Sequence, residues 1–576
     1  MKTNARIAIG VLVLIFALAY LAPIPTENPK LRSQKASFGA IKCTVAKFLL
    51  SDVDTTRQIA PLFENLGNHH FAISTTNDRA QAFFNQGIRL AYGFNHAEAH
   101  RSFMEATRLD PTAAMAHWGQ AYVLGPNIND TQPDEERRLK AHEAIQKANG
   151  LFSYATKKEK ALIAAMARRY SADPGEDLSV LNTAYMEAMA RVAAQFPGDA
   201  DIQTLYADAV MNTTPWMYWD NAGNPAPHTP AAKKALEKAM ELQPDHPGAH
   251  HYYIHMVELP FPDLAVPSAD KLGALMPAAG HMVHMPSHIY IRVGRYLDAV
   301  KANQDAILAD EDYISQCYSQ GMYPLGYYPH NIHFLWSAAS LLGASELAIE
   351  AAQKTAEKVP VGELNALPFL QDFAATPLLA YTRFGKWNEI LTVPAPNADI
   401  KHLRLVWHYA RAIAFTRKGN LAEAEEELEA IKTLREDPEL MQFMGSFQNS
   451  TGAIAAVAHA VVAGEISALK GDTEAALAHL NSAVELEDAL VYSEPPAWYI
   501  PTRQNLGALL MKKGDYPLAE KVYREDLQRL RQNGWSLMGL YQSLKAQDKN
   551  TEAMEIKKEF EGAWQHADIH IESSVL

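Results

Sequence analysis

From about residue 78 to the C-terminus, apolar positions recur at the three- and four-residue spacing of amphipathic helices, and no stretch shows the strict alternation of a half-buried strand. Ala, Leu, Glu and Lys, all good helix formers, dominate these stretches. The N-terminus has a different pattern: Lys2 and Arg6, an apolar run Ile7–Ala22, then Pro23 and Pro25. A short basic start followed by an apolar stretch reads as an export signal. Ala17-Leu18-Ala19 offers a cleavage site, while the run is also long enough for a membrane anchor, so both fates stay open. No cysteine closes the run, which argues against a lipid anchor. The body is therefore expected to be exported: periplasmic, or held at the inner membrane facing the periplasm.

The helical stretches repeat. Phe83, Gly87, Leu90, Ala99, Phe103, Ala106 and Pro111 fall at places 4, 8, 11, 20, 24, 27 and 32 of a 34-residue unit that begins at Ala80. The frame returns from Leu405 (Ala412, Gly419, Ala424), from Val457 (Gly464, Gly471, Ala476, Leu480), from Ile500 (Gly507, Gly514, Ala519, Tyr523) and from Gly534 (Ala553). This resembles the tetratricopeptide repeat (TPR), a pair of antiparallel helices per unit. The resemblance implies an all-α, TPR-type α-solenoid superhelix of about a dozen helix pairs behind the N-terminal segment. It also implies a concave groove lined by the first helix of each pair, at places 2, 5, 9, 12 and 13. The expected organisation is an export signal or anchor (1–25), a lead-in (26–78), N-terminal repeats (79–245) with an inserted loop (213–230), histidine-rich repeats (246–362), C-terminal repeats (363–567) and a tail (568–576).

The histidines make the middle repeats unusual. Nine of 22 lie between His246 and His333. In the unit from Gly280, His281, His284, His288 and Arg292 take places 2, 5, 9 and 13, one stripe on the groove wall. In the unit from Pro329, His330 and His333 take places 2 and 5. The preceding helix carries His251, His255 and Glu258 on one face; its register leaves open whether His255 or His250 joins Glu258 in the groove. Imidazole and carboxylate without thiolate suit a divalent transition metal such as zinc, iron or copper. Arg292, Trp216 of the inserted loop, Tyr328 and Asn331 are candidate groove or substrate residues, Arg292 for a carboxylate or phosphate. Met256, Met282 and Met285 hint at copper, but Met282 and Met285 sit off the groove and read as packing. Pro286 inside the histidine helix predicts a kink, or a helix that begins only there, leaving His281 and His284 in a loop. His96, His117, His459 and His479 read as ordinary core histidines.

Composition narrows the classes. The chain has 576 residues, 48% hydrophobic and 20% charged, enough for a large core. A net charge of −14 argues against nucleic acid as a partner. Two cysteines exclude a disulfide scaffold and a cysteine-zinc module, although Cys43 and Cys317 could pair in an exported protein. No nucleotide, haem or flavin motif is present.

The segments HYYIH, HMVHMPSHIY and PHNIH, together with FFNQGIRLAYGFNHAEAHRSF and EPPAWYIPTRQNLG, resemble a group of exported bacterial TPR proteins. The resemblance covers about His69 to Ser543 and implies no settled activity, so it supplies no catalytic residue. Two functions remain: an interaction scaffold that binds a peptide or protein in its groove, and a metal-dependent enzyme of hydrolase or oxygenase type with its site among the histidines. Membrane contact is expected only through the N-terminal segment.

Overall fold

Helix pairs follow one another as the 34-residue pattern requires. In the computed structural model, which describes residues 56–576 except 221 and 317–322, the unit from Ala80 is the pair Asp78–Tyr92 and His96–Leu109. The unit from Leu405 is Lys401–Arg417 with Leu421–Arg435, and that from Ile500 is Thr502–Lys513 with Tyr516–Arg529. Among the described residues the only β-type pairing is in isolated bridges such as Asn127 to Asp130. The all-α, TPR-type solenoid is thus the observed fold.

The repeat residues are there for steric reasons. A Cβ on Gly87 would stand 2.5 Å from the Phe103 ring, one on Gly507 2.4 Å from Tyr523, and one on Gly464 2.7 Å from Leu480. Place 8 is therefore small because the bulky side chain at place 24 of the partner helix lies on it. Place 15 ends the first helix in the left-handed region: Gly294 has φ +81° and Gly343 φ +78°.

Both ends of the described chain are docked. Phe71 of the lead-in is fully buried, and in the tail Ser574 hydroxyl bonds the Gln504 carbonyl while Asp568 accepts the Ser345 and Glu346 amides. The superhelix also coils back on itself: Arg531 pairs with Asp263, Tyr296 hydroxyl donates to the Arg531 carbonyl, and Trp535 donates to the Ser340 carbonyl. The main apolar core draws on residues from Ala60 to Ile571, with a separate cluster in the C-terminal repeats around Leu510 and Tyr523 and a small one around Phe373. Helix Thr451–Leu469 is long and apolar enough to cross a membrane, yet 67% of that stretch is buried against its neighbours, as a core helix would be. The run Ile7–Ala22, its cleavage site, Cys43 and Cys317 lie outside the described residues.

Candidate metal centre

Three stretches bring the histidines together. Helix Pro247–Val257 begins on a proline, with the His246 ring accepting the Ala249 amide proton as its cap. It carries His251 and His255 one turn apart, and Glu258 follows at its C-cap. Pro286 lacks an amide proton and splits the next stretch, so helix Gly280–His284 holds His281 and His284 while helix Pro286–Val293 holds His288. The break is a kink: Met285 keeps right-handed helical dihedrals, and neither His281 nor His284 is in a loop. Helix Tyr328–Leu342 supplies His330. His250 bonds Ser268 and the Pro244 carbonyl away from the cluster, which leaves His255 as the partner of Glu258.

The rings are held in defined tautomers. Asn303 donates its amide to the Ala299 carbonyl at 2.7 Å, so its oxygen accepts, and His284 Nδ1 donates to it at 2.7 Å. The His284 lone pair is then on Nε2, which lies 2.9 Å from Nε2 of His288. His288 Nδ1 donates to Glu258 at 3.0 Å and lies 3.3 Å from Glu494. With His330 these rings offer three nitrogens all within 4.8 Å of one another. Two nitrogens on one ion at ~2.0–2.1 Å and ~90–110° stand about 2.9–3.4 Å apart, which is the His284–His288 spacing. A carboxylate or amide behind each ligating ring is the usual support of such a site.

A second group, His251, His255 and His281, likewise brings three ring nitrogens within 4.8 Å of one another. His251 Nδ1 donates to the Tyr92 carbonyl at 2.6 Å, which puts its lone pair on an Nε2 that has no partner. Both ring nitrogens of His255 and both of His281 are buried without a hydrogen bond. Each such polar atom costs about 1–3 kcal/mol if left unpaired; His333 has two of them as well, but only in this second group do they converge on one point. A third group, His69, Asp201 and His246, has the right residue types but its bonds are closed. His246 and His69 each accept on Nδ1, from Ala249 and Gln243, and each turns Nε2–H toward Asp201, at 3.1 and 2.9 Å. That group ties the lead-in to the repeats and has no lone pair to offer.

Electrostatics set His288 apart from the other rings. Burial and the neighbouring imidazoles push His251, His281, His284 and His330 well below the usual histidine range, so they are neutral at pH 7 and each keeps a lone pair. Burial would do the same to His288, but Glu258 and Glu494 hold its pKa up at about 9, so without an ion it carries both protons and its Nε2–H donates to His284; a bound cation would displace that proton. Burial alone would raise Glu258; the charge on His288, the nearby His255 ring and the His288 bond bring it down instead.

His255, His281, His288, His330 and Glu494 form one wall of a cavity of about 410 Å³. The opposite sides come from Ile128–Thr131, Trp216, Tyr327, Pro368–Phe369, Met444, Phe447 and Gln448. The expected open groove is thus narrowed to a cavity by loops and by the connector that carries Glu494. Trp216 of the inserted loop does reach the site, its ring edge-on to His255 at 5.1 Å and its indole donating to the Ile128 carbonyl. The Asn127–Asp130 turn reaches it too.

Four expectations are corrected. His333 faces away, packed among Trp336, Phe373 and Tyr499 at 5.1–5.3 Å. Tyr328 donates to Glu311, and Tyr327 takes the place in the cavity wall. Asn331 donates to the buried Asp310 at 2.7 Å. Arg292 is outside this cavity, its Nε 3.8 Å from Glu494, and lines a second, smaller one with Trp336, Tyr492 and Trp498. Of the four histidines read as core, His96 is buried, whereas His117, His459 and His479 are half-buried. Met256, Met282 and Met285 are core residues. Glu494 is the residue the sequence reading passed over; its one signal is an acidic group set directly before two prolines in an apolar connector.

No family model and no curated protein matches the chain. Among solved structures it is similar to the human IFIT1 dimer with m7Gppp-AAAA, at 13% identity over 79% of this chain and 91% of that one, TM-score 0.33. It is similar to the APC/C hetero-tetramer Cut9-Hcn1 at 11% identity, over 85% of this chain and 80% of that one, TM-score 0.34. It is also similar to yeast Tom70 at 12% identity, over 84% and 90%, TM-score 0.28. At these identities and scores the likeness brings no ligand or partner to this chain, and the fold stands on its own helix pairs.

Proposed function

We propose that this chain is an exported metal protein in which one transition-metal ion, held by His284, His288 and His330, faces a small-molecule cavity and serves a metal-dependent enzyme activity there. The observation that carries this is the convergence of His284, His288 and His330, whose nitrogens lie within 4.8 Å of one another beside the cavity, with His284 and His288 backed by Asn303 and Glu258. A volume of about 410 Å³ is in the range of ligand pockets. Its lining sets Trp216, Tyr327, Phe369 and Phe447 against the histidines, Asp130 and Glu494, which suits a compact molecule with an apolar body and a polar end. A three-histidine ion with a free position would polarise a carbonyl or activate water. The protein's own part is to exclude water with Trp216, Tyr327 and Phe369, and to hold a proton on His288 Nδ1 through Glu258. The export signal supports a periplasmic setting, and the likeness to exported TPR proteins is consistent with it.

The scaffold reading draws on a different observation: Met444 and Phe447 at the cavity edge and nearby Met441 are exposed, an apolar rim that a peptide could cover. The two readings separate experimentally. The cobalt(II)-loaded protein should show a histidine-ligated visible spectrum that shifts when azide takes the free position, and the His284→Ala/His288→Ala/His330→Ala variant should lose cobalt. A fully folded protein that takes up no cobalt, or a spectrum indifferent to azide, would return the chain to the scaffold class.

A further inference from the structure

The histidine wall holds more donors than one ion can use. His284, His288 and His330 make one set, and His251, His255 and His281 make another that shares no residue with it. The second set is buried throughout, and five of its six ring nitrogens have no hydrogen-bond partner. The sixth, His251 Nδ1, is committed to the Tyr92 carbonyl, which aims the remaining lone pair inward. Within the set the rings are 4.9 Å (His251–His255), 5.0 Å (His251–His281) and 6.4 Å (His255–His281) apart, centre to centre.

The two sets abut. His255 is 5.6 Å from His288, and His281 is 5.8 Å from His284. Glu258 stands at the junction, with one oxygen 3.0 Å from His288 and the other, unpartnered, 3.5 Å from His255. His255 and His281 also line the cavity beside His288 and His330. A hydrogen-bonded alternative exists in this same protein, where His69 and His246 close on Asp201 at 2.9 and 3.1 Å; in the second set the one carboxylate nearby, Glu258, stands 3.5 Å from His255.

We propose that the six imidazoles form a two-ion centre, with His251, His255 and His281 holding a second ion next to the first and Glu258 between them. Neutral nitrogen donors without thiolate suit zinc and copper. Two adjacent ions facing one cavity would bind a ligand through two of its atoms, so the substrate class is a small molecule with a bridging oxygen or paired donor atoms. This rests on the one-ion reading above.

The test is stoichiometry. The full chain is titrated with zinc(II) alone and, in an anaerobic series, with copper(I) alone, then desalted and its retained metal measured per chain. The expected result is two equivalents of either ion in the wild type. His251→Gln/His281→Gln should retain one, and His284→Gln/His330→Gln should retain the other. A wild type that holds a single equivalent, unaffected by the first pair of substitutions, would overturn the two-ion centre and leave the one-ion reading standing. No retained metal at all would overturn both. If a double variant fails to fold, the wild-type count alone decides.

Discussion

At the residue scale, the distinction between a metal ligand and a structural histidine lies in where its second nitrogen goes. Glu258 orients His288 by accepting Nδ1–H, and such an outer partner is worth about 10–100-fold in metal affinity. Glu258→Gln should therefore weaken metal binding by about that factor while the helical circular-dichroism spectrum is kept; unchanged affinity would remove Glu258 from the site. Asp201 is the control. Its Oδ1 accepts His69, His246 and the Tyr92 hydroxyl. Asp201→Asn should leave metal content alone and cost roughly 3 kcal/mol of stability, read as a lower thermal midpoint. Sequence could place histidines on a face but could not say which nitrogens are free, because that depends on Asn303, Tyr92 and Glu494, which are remote in the chain.

At the element scale, the 34-residue frame told where each helix starts, which side is small and which residues share a stripe. His281, His284, His288 and His330 follow from it, since they sit at equivalent places of adjacent units. The rule fails at His333: three residues past His330 is about 60° and 4.5 Å further along the helix. That carries the ring past the Gly280 unit and onto Phe373 and Tyr499 of later segments. The kink at Pro286 is a second element-scale device, because it sets His281 and His284 on a different axis from His288. Pro286→Ala should restore a backbone bond and straighten the helix. The protein should stay folded and lose about tenfold or more in metal affinity by competition titration; equal affinity would show the kink to be incidental. Packing between paired helices is tested by Gly507→Ala, whose Cβ would meet the Tyr523 ring at 2.4 Å. It should destabilise the C-terminal repeats by about 1–3 kcal/mol, seen as earlier loss of helicity in urea.

At the scale of the molecule, repeats from both ends converge on the middle ones. Connector Glu494–Pro501 crosses from the C-terminal repeats, and this is why the groove expected from the fold is a cavity. Coiling of this kind is set by small rotations per repeat, summed over many, and no local pattern records it. The same convergence buries acids far from the centre. Glu487 accepts the Thr502 amide and hydroxyl, and burial lifts its pKa from 4.5 to about 7. A group raised on folding contributes stability that is fully present below its unfolded pKa and is lost as pH rises through the folded one. Wild type should therefore lose, relative to Glu487→Gln, up to about 3 kcal/mol between pH 4.5 and 7, measured by urea unfolding at both pH values. Parallel curves would show that Glu487 is ionised in the folded state.

The central claim is that imidazoles at the cavity wall are metal ligands. X-ray absorption at the edge of whichever metal the purified protein retains tests it most directly. The account predicts a first shell of nitrogen at ~2.0–2.1 Å with the outer-shell scattering of about three imidazoles per ion. A first shell of oxygen without that imidazole signature, or a spectrum unchanged in the His284→Ala/His288→Ala/His330→Ala variant, would contradict it.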